Sequence, residues 1–360
     1  MTTQSPSDFP NRSTSTVTGP VHADETPDAD ATPAAGPPPV TDQEAKGLSQ
    51  GQIVRRKFFD NTAAIISLVV FAIIFLLAFT SVGFAGIPGW WKYNHTEFLP
   101  LLGGGAPTIT SPFSWGDHPF GQDSIGRDYF AMTMRGTQNS IIIMFIIGLL
   151  AGLVGVVIGA CSGYFRGWPE AVLMRFTDIV IIIPVVLAAA TLGQAVNRYV
   201  GSGAQIWLLG LFLGLVLWTG LARLVRGEFL TLREREFVDA AKIAGASNRR
   251  IIFKHILPNA VGVIIVNTTL LMSSAILLET ALSYIGFGVK APDVSLGLII
   301  SQNQEAFQTR PWLFWFPGLF IVLICLCINF IGDGLRDAFD PRQKKFNAGR
   351  AKDAEKPAAA

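Results

Sequence analysis

The side chains most able to do chemistry gather between two long apolar runs, from Arg233 to Asn259, in the string REREFVDAAKIAGASNRRIIFKHILPN. Arg233, Glu234, Arg235, Glu236, Asp239, Lys242, Arg249, Arg250 and Lys254 offer ion pairing and hydrogen bonding. A charge at the centre of a bilayer costs roughly 2.5–3.5 kcal/mol, so this stretch must lie in water or against another protein. Bond-making chemistry has no comparable foothold. The apolar runs contain no HExxH, no convincing pair of aspartates and no Ser/His pairing, and His22, His95, His118 and His255 all fall outside them. No Gly-Lys dipeptide occurs, so the chain carries no phosphate-binding loop of the Gly-x-x-x-x-Gly-Lys-Ser/Thr type, and any ATP must be handled by another chain. Cys161, Cys325 and Cys327 sit within apolar runs and read as small buried hydrophobes, not as metal ligands or a disulfide.

The pattern inside the polar stretch is helical. Phe237, Ala240, Ala241 and Ala244 fall at i, i+3, i+4 and i+7, which predicts a helix with one narrow apolar face. Gly245 suits the left-handed position that stops such a helix, and Ser247 can cap the next. Ile251, Ile252, His255 and Ile256 then form an apolar stripe, and Pro258 is expected to end the second helix. The expectation is helix, tight turn, helix.

The elements that must hold this stretch follow from composition. Half of the 360 residues are hydrophobic, only 15% are charged and the mean hydropathy is +0.43, which is not the profile of a soluble globular domain. Apolar runs at about 63–84, 140–164, 174–195, 206–224, 261–285 and 312–331 predict an all-α polytopic membrane protein with six transmembrane helices. Pro184 should kink or interrupt the third. The net charge of +2 is too small for nucleic-acid binding. Residues 1–50 are rich in Pro, Thr, Ser, Ala and Asp and read as a disordered tail. The domain expectation is that tail, a first span and the start of an outer segment over 51–117, a transmembrane domain over 118–342, and a second tail over 343–360. Arg55, Arg56 and Lys57 before the first run, and most Lys and Arg in 165–173, 225–260 and 332–360, place both termini and the polar stretch in the cytoplasm by the positive-inside rule.

The string Asp239-Ala240-Ala241-x3-Gly245-x9-His255-Ile256-Leu257-Pro258 resembles the EAA loop of permease subunits of bacterial ABC importers, with Asp239 for the family's Glu and His255 where Ile is usual. The His-Ile-Leu-Pro-Asn ending is similar to the C-type subunit of the dipeptide/oligopeptide/nickel branch. So are the string His118-Pro-Phe-Gly-x-Asp123-x-x-Gly126-Arg127-Asp128 and the run from Gly332 to Arg342. The resemblance implies a type I ABC importer permease fold and an inner-membrane subunit that catalyses no bond chemistry and binds no cofactor. Its implied partners are a B-type permease, two ATP-binding subunits that use the ATP, an extracytoplasmic substrate-binding protein and membrane lipid. It further implies that Glu236, Asp239, Ala240, Ala241, Gly245, Ala246, His255, Leu257 and Pro258 dock an ATPase subunit. The implied substrate is a short peptide, with a nickel or metal-chelate importer as the alternative within the family and a non-transporting membrane scaffold as the alternative outside it. Two acids lie within predicted spans, Asp178 and Glu279, and intramembrane acids default to function. They are the candidate path residues, and Glu279 could meet a peptide's N-terminal amine.

Overall fold

The computed structural model describes residues 50–84, 86–109, 116–199 and 204–339. The expected tails at 1–50 and 343–360 lie outside these residues, apart from Gln50. The described chain is almost wholly helical, and its only β-type pairings are two isolated bridges.

A short helix, α1 (Gln50–Asp60), leads to the first span, α2 (Thr62–Ser81). Asn61 separates them and caps α2 by accepting from the Ala64 N–H at 3.2 Å. The second span, α3 (Tyr129–Tyr164), has 36 residues and starts well before the expected Ser140, because polar residues such as Thr133, Gln138 and Asn139 are buried inside the protein. At 1.5 Å per residue it is about 54 Å long, so it projects beyond a hydrocarbon core of about 30 Å.

The third expected run divides into α4 (Trp168–Ile182) and α5 (Val185–Tyr199), bent by 74° around Pro184. Proline lacks an N–H and disfavours helical geometry in the residue before it, and Ile183 is extended accordingly (φ −70°, ψ 116°). Among the described residues, five helices are long and apolar enough to cross a membrane, and the count reaches six if the bent pair is one span.

The fourth span, α6 (Gln205–Arg233), packs along α3. Glycines set their separation: a Cβ at Gly159 would lie 2.6 Å from the Ala222 carbonyl oxygen, and one at Gly163 would lie 2.6 Å from the Phe229 Cβ. The short α7 (Glu236–Ile243) follows, then one turn, α8 (Asn248–Arg250), a π-helical turn (Ile251–Ile256) and α9 (Leu257–Tyr284). Helix α10 (Leu296–Asn303) returns against α9, and α11 (Trp312–Phe339) closes the bundle against α2 and α9.

Candidate functional site

At one end of α3 the polar stretch folds much as its sequence predicts. Helix α7 ends in a Schellman turn: Gly245 donates to the Lys242 carbonyl at 2.9 Å and Ala246 to the Ala241 carbonyl at 3.0 Å, with Gly245 at φ +75°. Ser247 then caps the next turn by accepting from the Arg250 N–H at 3.4 Å. The second helix does not stop at Pro258. The chain widens into the π-helical turn just before it, so Pro258 enters in the first turn of α9, where a missing N–H costs nothing. The junction between the loop and α9 is therefore continuous helix.

The loop has two faces. Val238, Ala241, Ile251, Ile252 and Ile256 are buried against Ala160 and Tyr164 of α3 and Leu221, Val225 and Phe229 of α6, with Ala246 and Leu257 packed at the margin. The expected stripe is thus shifted. Ala241 turns inward beside Val238, whereas Phe237, Ala240 and Ala244 stay exposed, because the bundle meets α7 from the Val238 side. Of the candidate docking residues, Ala241, Ala246 and Leu257 anchor the loop, and Glu236, Asp239, Ala240, Gly245 and Pro258 are exposed. His255 is half-buried, and its backbone carbonyl accepts from Asn259 Nδ2 at 2.6 Å. The sequence pattern did not single out Ile243, 89% exposed, or Phe253, 61% exposed; isolated aliphatic and aromatic residues in a charged string look like interior positions until the fold turns them outward. Polar ties complete the mounting. Tyr164 Oη donates to Asn248 Oδ1 at 2.8 Å, Arg233 donates to the Tyr164 carbonyl, and Arg166 pairs with Glu234 at 2.9 Å.

The other end of α3 is built by the string from His118 to Asp128. Asp128 is fully buried: one carboxylate oxygen accepts from the Ala131 N–H at 2.7 Å and from Trp91 Nε1 at 3.0 Å, and the other meets His118 Nδ1 at 2.7 Å. Asp123 pairs with Arg127 at 2.6 Å and accepts from its backbone N–H at 2.8 Å. Gln122 donates to the Pro100 and Gly126 carbonyls and accepts from the Leu102 N–H. Phe120 stacks on Phe316 of α11 with centroids 4.0 Å apart. Nearby, burial and then the charges of Arg135 and Arg127 lower the pKa of His95 to about 4.

Comparison with known proteins shows what this arrangement belongs to. Residues 155–345, just over half of the chain, match the family described as binding-protein-dependent transport system inner membrane component. The chain belongs to this family. Residues 49–98 match the N-terminal TM domain of oligopeptide transport permease C. An oligopeptide transport system permease protein OppC of Mycobacterium tuberculosis is 36% identical over 301 residues, 84% of this chain and 98% of that protein. One from Haemophilus influenzae is 35% identical over 309 residues, 85% and 93% of the two chains. A chain of the inward-facing MetNI methionine ABC transporter overlays at a TM-score of 0.47 with 18% identity, covering 58% of this chain and 96% of that one.

Within this inner-membrane permease the two intramembrane acids have different settings. Glu279 is fully buried, accepting from Ser140 Oγ at 2.9 Å and Ser283 Oγ at 2.7 Å, with Ser295 as a further partner, and so ties α9 to α3 and to the start of α10. Burial of a carboxylate demands such partners; Ser283 lies one turn on in the same helix, whereas Ser140 and Ser295, further off in sequence, could not be picked out before the fold joined them. Asp178 instead pairs with Arg223 of α6 at 2.6 Å, and both side chains are partly exposed (43% and 50%). Glu170 pairs likewise with Arg226, one turn further along α6.

Proposed function

We propose that this permease forms half of a translocation path for short peptides and that its 233–259 loop is the lever through which separate ATPase subunits move it. The observation that carries the reading is the two-sided construction of the loop. One face is buried against α3 and α6 and runs unbroken into α9, while the other presents Phe237, Asp239, Ala240, Ile243, Ala244 and Phe253 outward. A partner that moves the outer face must tilt three spans together, which is what alternating access requires. The Lys and Arg bias supports a cytoplasmic position for the loop and both termini, where ATP-binding subunits would meet them. The partners that complete the reading are a B-type permease, two ATP-binding subunits and an extracytoplasmic substrate-binding protein; the ATP is used by the partners. The relatives named for oligopeptide transport support the substrate class. On this reading the path runs past the exposed Asp178–Arg223 pair, since intramembrane charges face a bundle interior or a water-filled cavity.

The test is Gly245→Val in the chain reconstituted with its partner subunits. No atom lies within 4 Å of a Cβ at Gly245, so the change acts through backbone conformation alone. Holding a residue with a Cβ at positive φ costs roughly 1–2 kcal/mol, which lowers the population of the docking-competent turn about 5- to 30-fold. ATP-dependent peptide uptake should fall by that order while the protein still inserts. Normal uptake and normal peptide-stimulated ATPase activity would sink the lever. Uptake of a nickel chelate in place of peptides would move the substrate class, and no uptake with any substrate would favour a scaffold.

A further inference from the structure

Beside the loop lies a cleft of about 460 Å³ that the lever reading does not use. Tyr164, Phe165, Arg166 and Pro169 from the end of α3 and start of α4 line one side, and Arg233, Lys242, Ala246, Asn248 and Ile251 line the other. Three of these residues are cations. Arg166 pairs with Glu234 at 2.9 Å and Lys242 with Asp239 at 2.9 Å, so two carboxylates offset two of the charges. Arg233 has no carboxylate within 4 Å among the described residues; one of its nitrogens donates to the Tyr164 carbonyl, and its guanidinium lies 5.7 Å from the centre of the Tyr164 ring. A guanidinium carries five N–H donors and an ammonium three, so donors remain on every cation after these contacts. The cleft therefore carries a net positive charge and a surplus of hydrogen-bond donors, the complement of a phosphate.

Its position narrows the source of that phosphate. Phe165 borders the cleft and is 38% exposed, and Trp168, next to Pro169, is 78% exposed at the start of α4. Exposed aromatic residues at the end of a span are membrane-interface anchors, and basic pockets between spans at the cytoplasmic face hold anionic lipid headgroups. We propose that the cleft bounded by Arg166, Arg233 and Lys242 binds the phosphate of an anionic phospholipid headgroup, joining the end of the second span to the first helix of the loop. The headgroup would brace the loop against α3 through the same Tyr164 that holds Asn248. The inference takes the sidedness from the proposed function, but its readout is lipid retention and not transport, so the two fail separately.

The test uses the full chain with its partner subunits in nanodiscs of phosphatidylcholine with added phosphatidylglycerol, followed by native mass spectrometry. The wild type should retain a phosphatidylglycerol that Arg166→Gln/Lys242→Gln loses, and Arg166→Lys/Lys242→Arg should keep it. Melting temperatures matching the wild type show that the loss is not unfolding. Equal retention by wild type and the Gln variant would overturn the proposal. So would displacement of the lipid by inorganic phosphate, which would mean a soluble anion.

Discussion

The two ends of α3 carry motifs of similar make-up, acids and bases spaced by glycines, yet one is a knot and the other a presented surface. At the Asp128 end the polar groups point inward: Asp128 and His118 are buried against each other, and Trp91, Gln122 and Arg127 complete the closure. At the Asp239 end Val238, Ala241, Ile251, Ile252 and Ile256 point inward and the charges outward, where Asp239 pairs with Lys242 and Glu234 with Arg166 at the surface. A buried polar group must be satisfied within the chain, so the first motif has nothing left to offer a partner. An exposed one is satisfied by water and can exchange water for a partner. Motif composition is thus compatible with either role, and burial decides between them.

The comparison can be broken most forcefully at Asp128. Asp128→Ala strips the cap of α3 and leaves the buried His118 and Trp91 groups without an acceptor, at about 1–3 kcal/mol for each unsatisfied group. A large fall in melting temperature and in the amount of folded protein in the membrane is expected; a wild-type melting curve would show that the knot is not holding the helix.

Paired glycines give the next largest contrast. Gly126 (φ +87°) and Gly245 (φ +75°) share the left-handed backbone, but a Cβ at Gly126 would strike the Leu99 carbonyl oxygen, whereas one at Gly245 meets open space. Asn tolerates this backbone region better than other residues with a Cβ. Gly245→Asn should therefore keep near-normal stability and coupling, while Gly126→Asn should destabilise, as thermal unfolding of the two purified variants will show.

A smaller effect comes from His95. Its pKa is lowered to about 4 in the folded chain from the ordinary histidine value of 6.5, so between those values the unfolded chain binds a proton that the folded one refuses. Stability should be full above pH about 6.5 and decline as pH falls toward 4. His95→Gln should flatten that decline, and an unchanged pH profile of the melting temperature would remove His95 from the account. The smallest structural effect belongs to Asp239→Asn at the exposed end. The melting temperature should not move, while affinity for the ATP-binding subunits, measured by co-purification under rising salt, should drop.

Much of the 233–259 loop could be read in advance, because its signals are local. The positive φ of Gly245, the cap at Ser247 and the Ile251, Ile252 and Ile256 stripe depend on neighbours within a turn or two. The membrane spans were legible for a related reason, since twenty apolar residues leave few alternatives to a buried helix. The break at Pro184 was local as well. Other features needed partners distant in sequence. Ala241 faces inward because α3 and α6 approach α7 from one side. Pro258 continues a helix because a π turn opens ahead of it. Glu279 is sealed by Ser140 and Ser295, 139 and 16 positions away by their numbers, which close over it. The sequence by itself determined a polytopic helical permease with a helix–turn–helix between its fourth and fifth spans. Only the tertiary structure decided which charges are sealed and which are offered, since burial is a property of what packs against a residue and not of the residue alone.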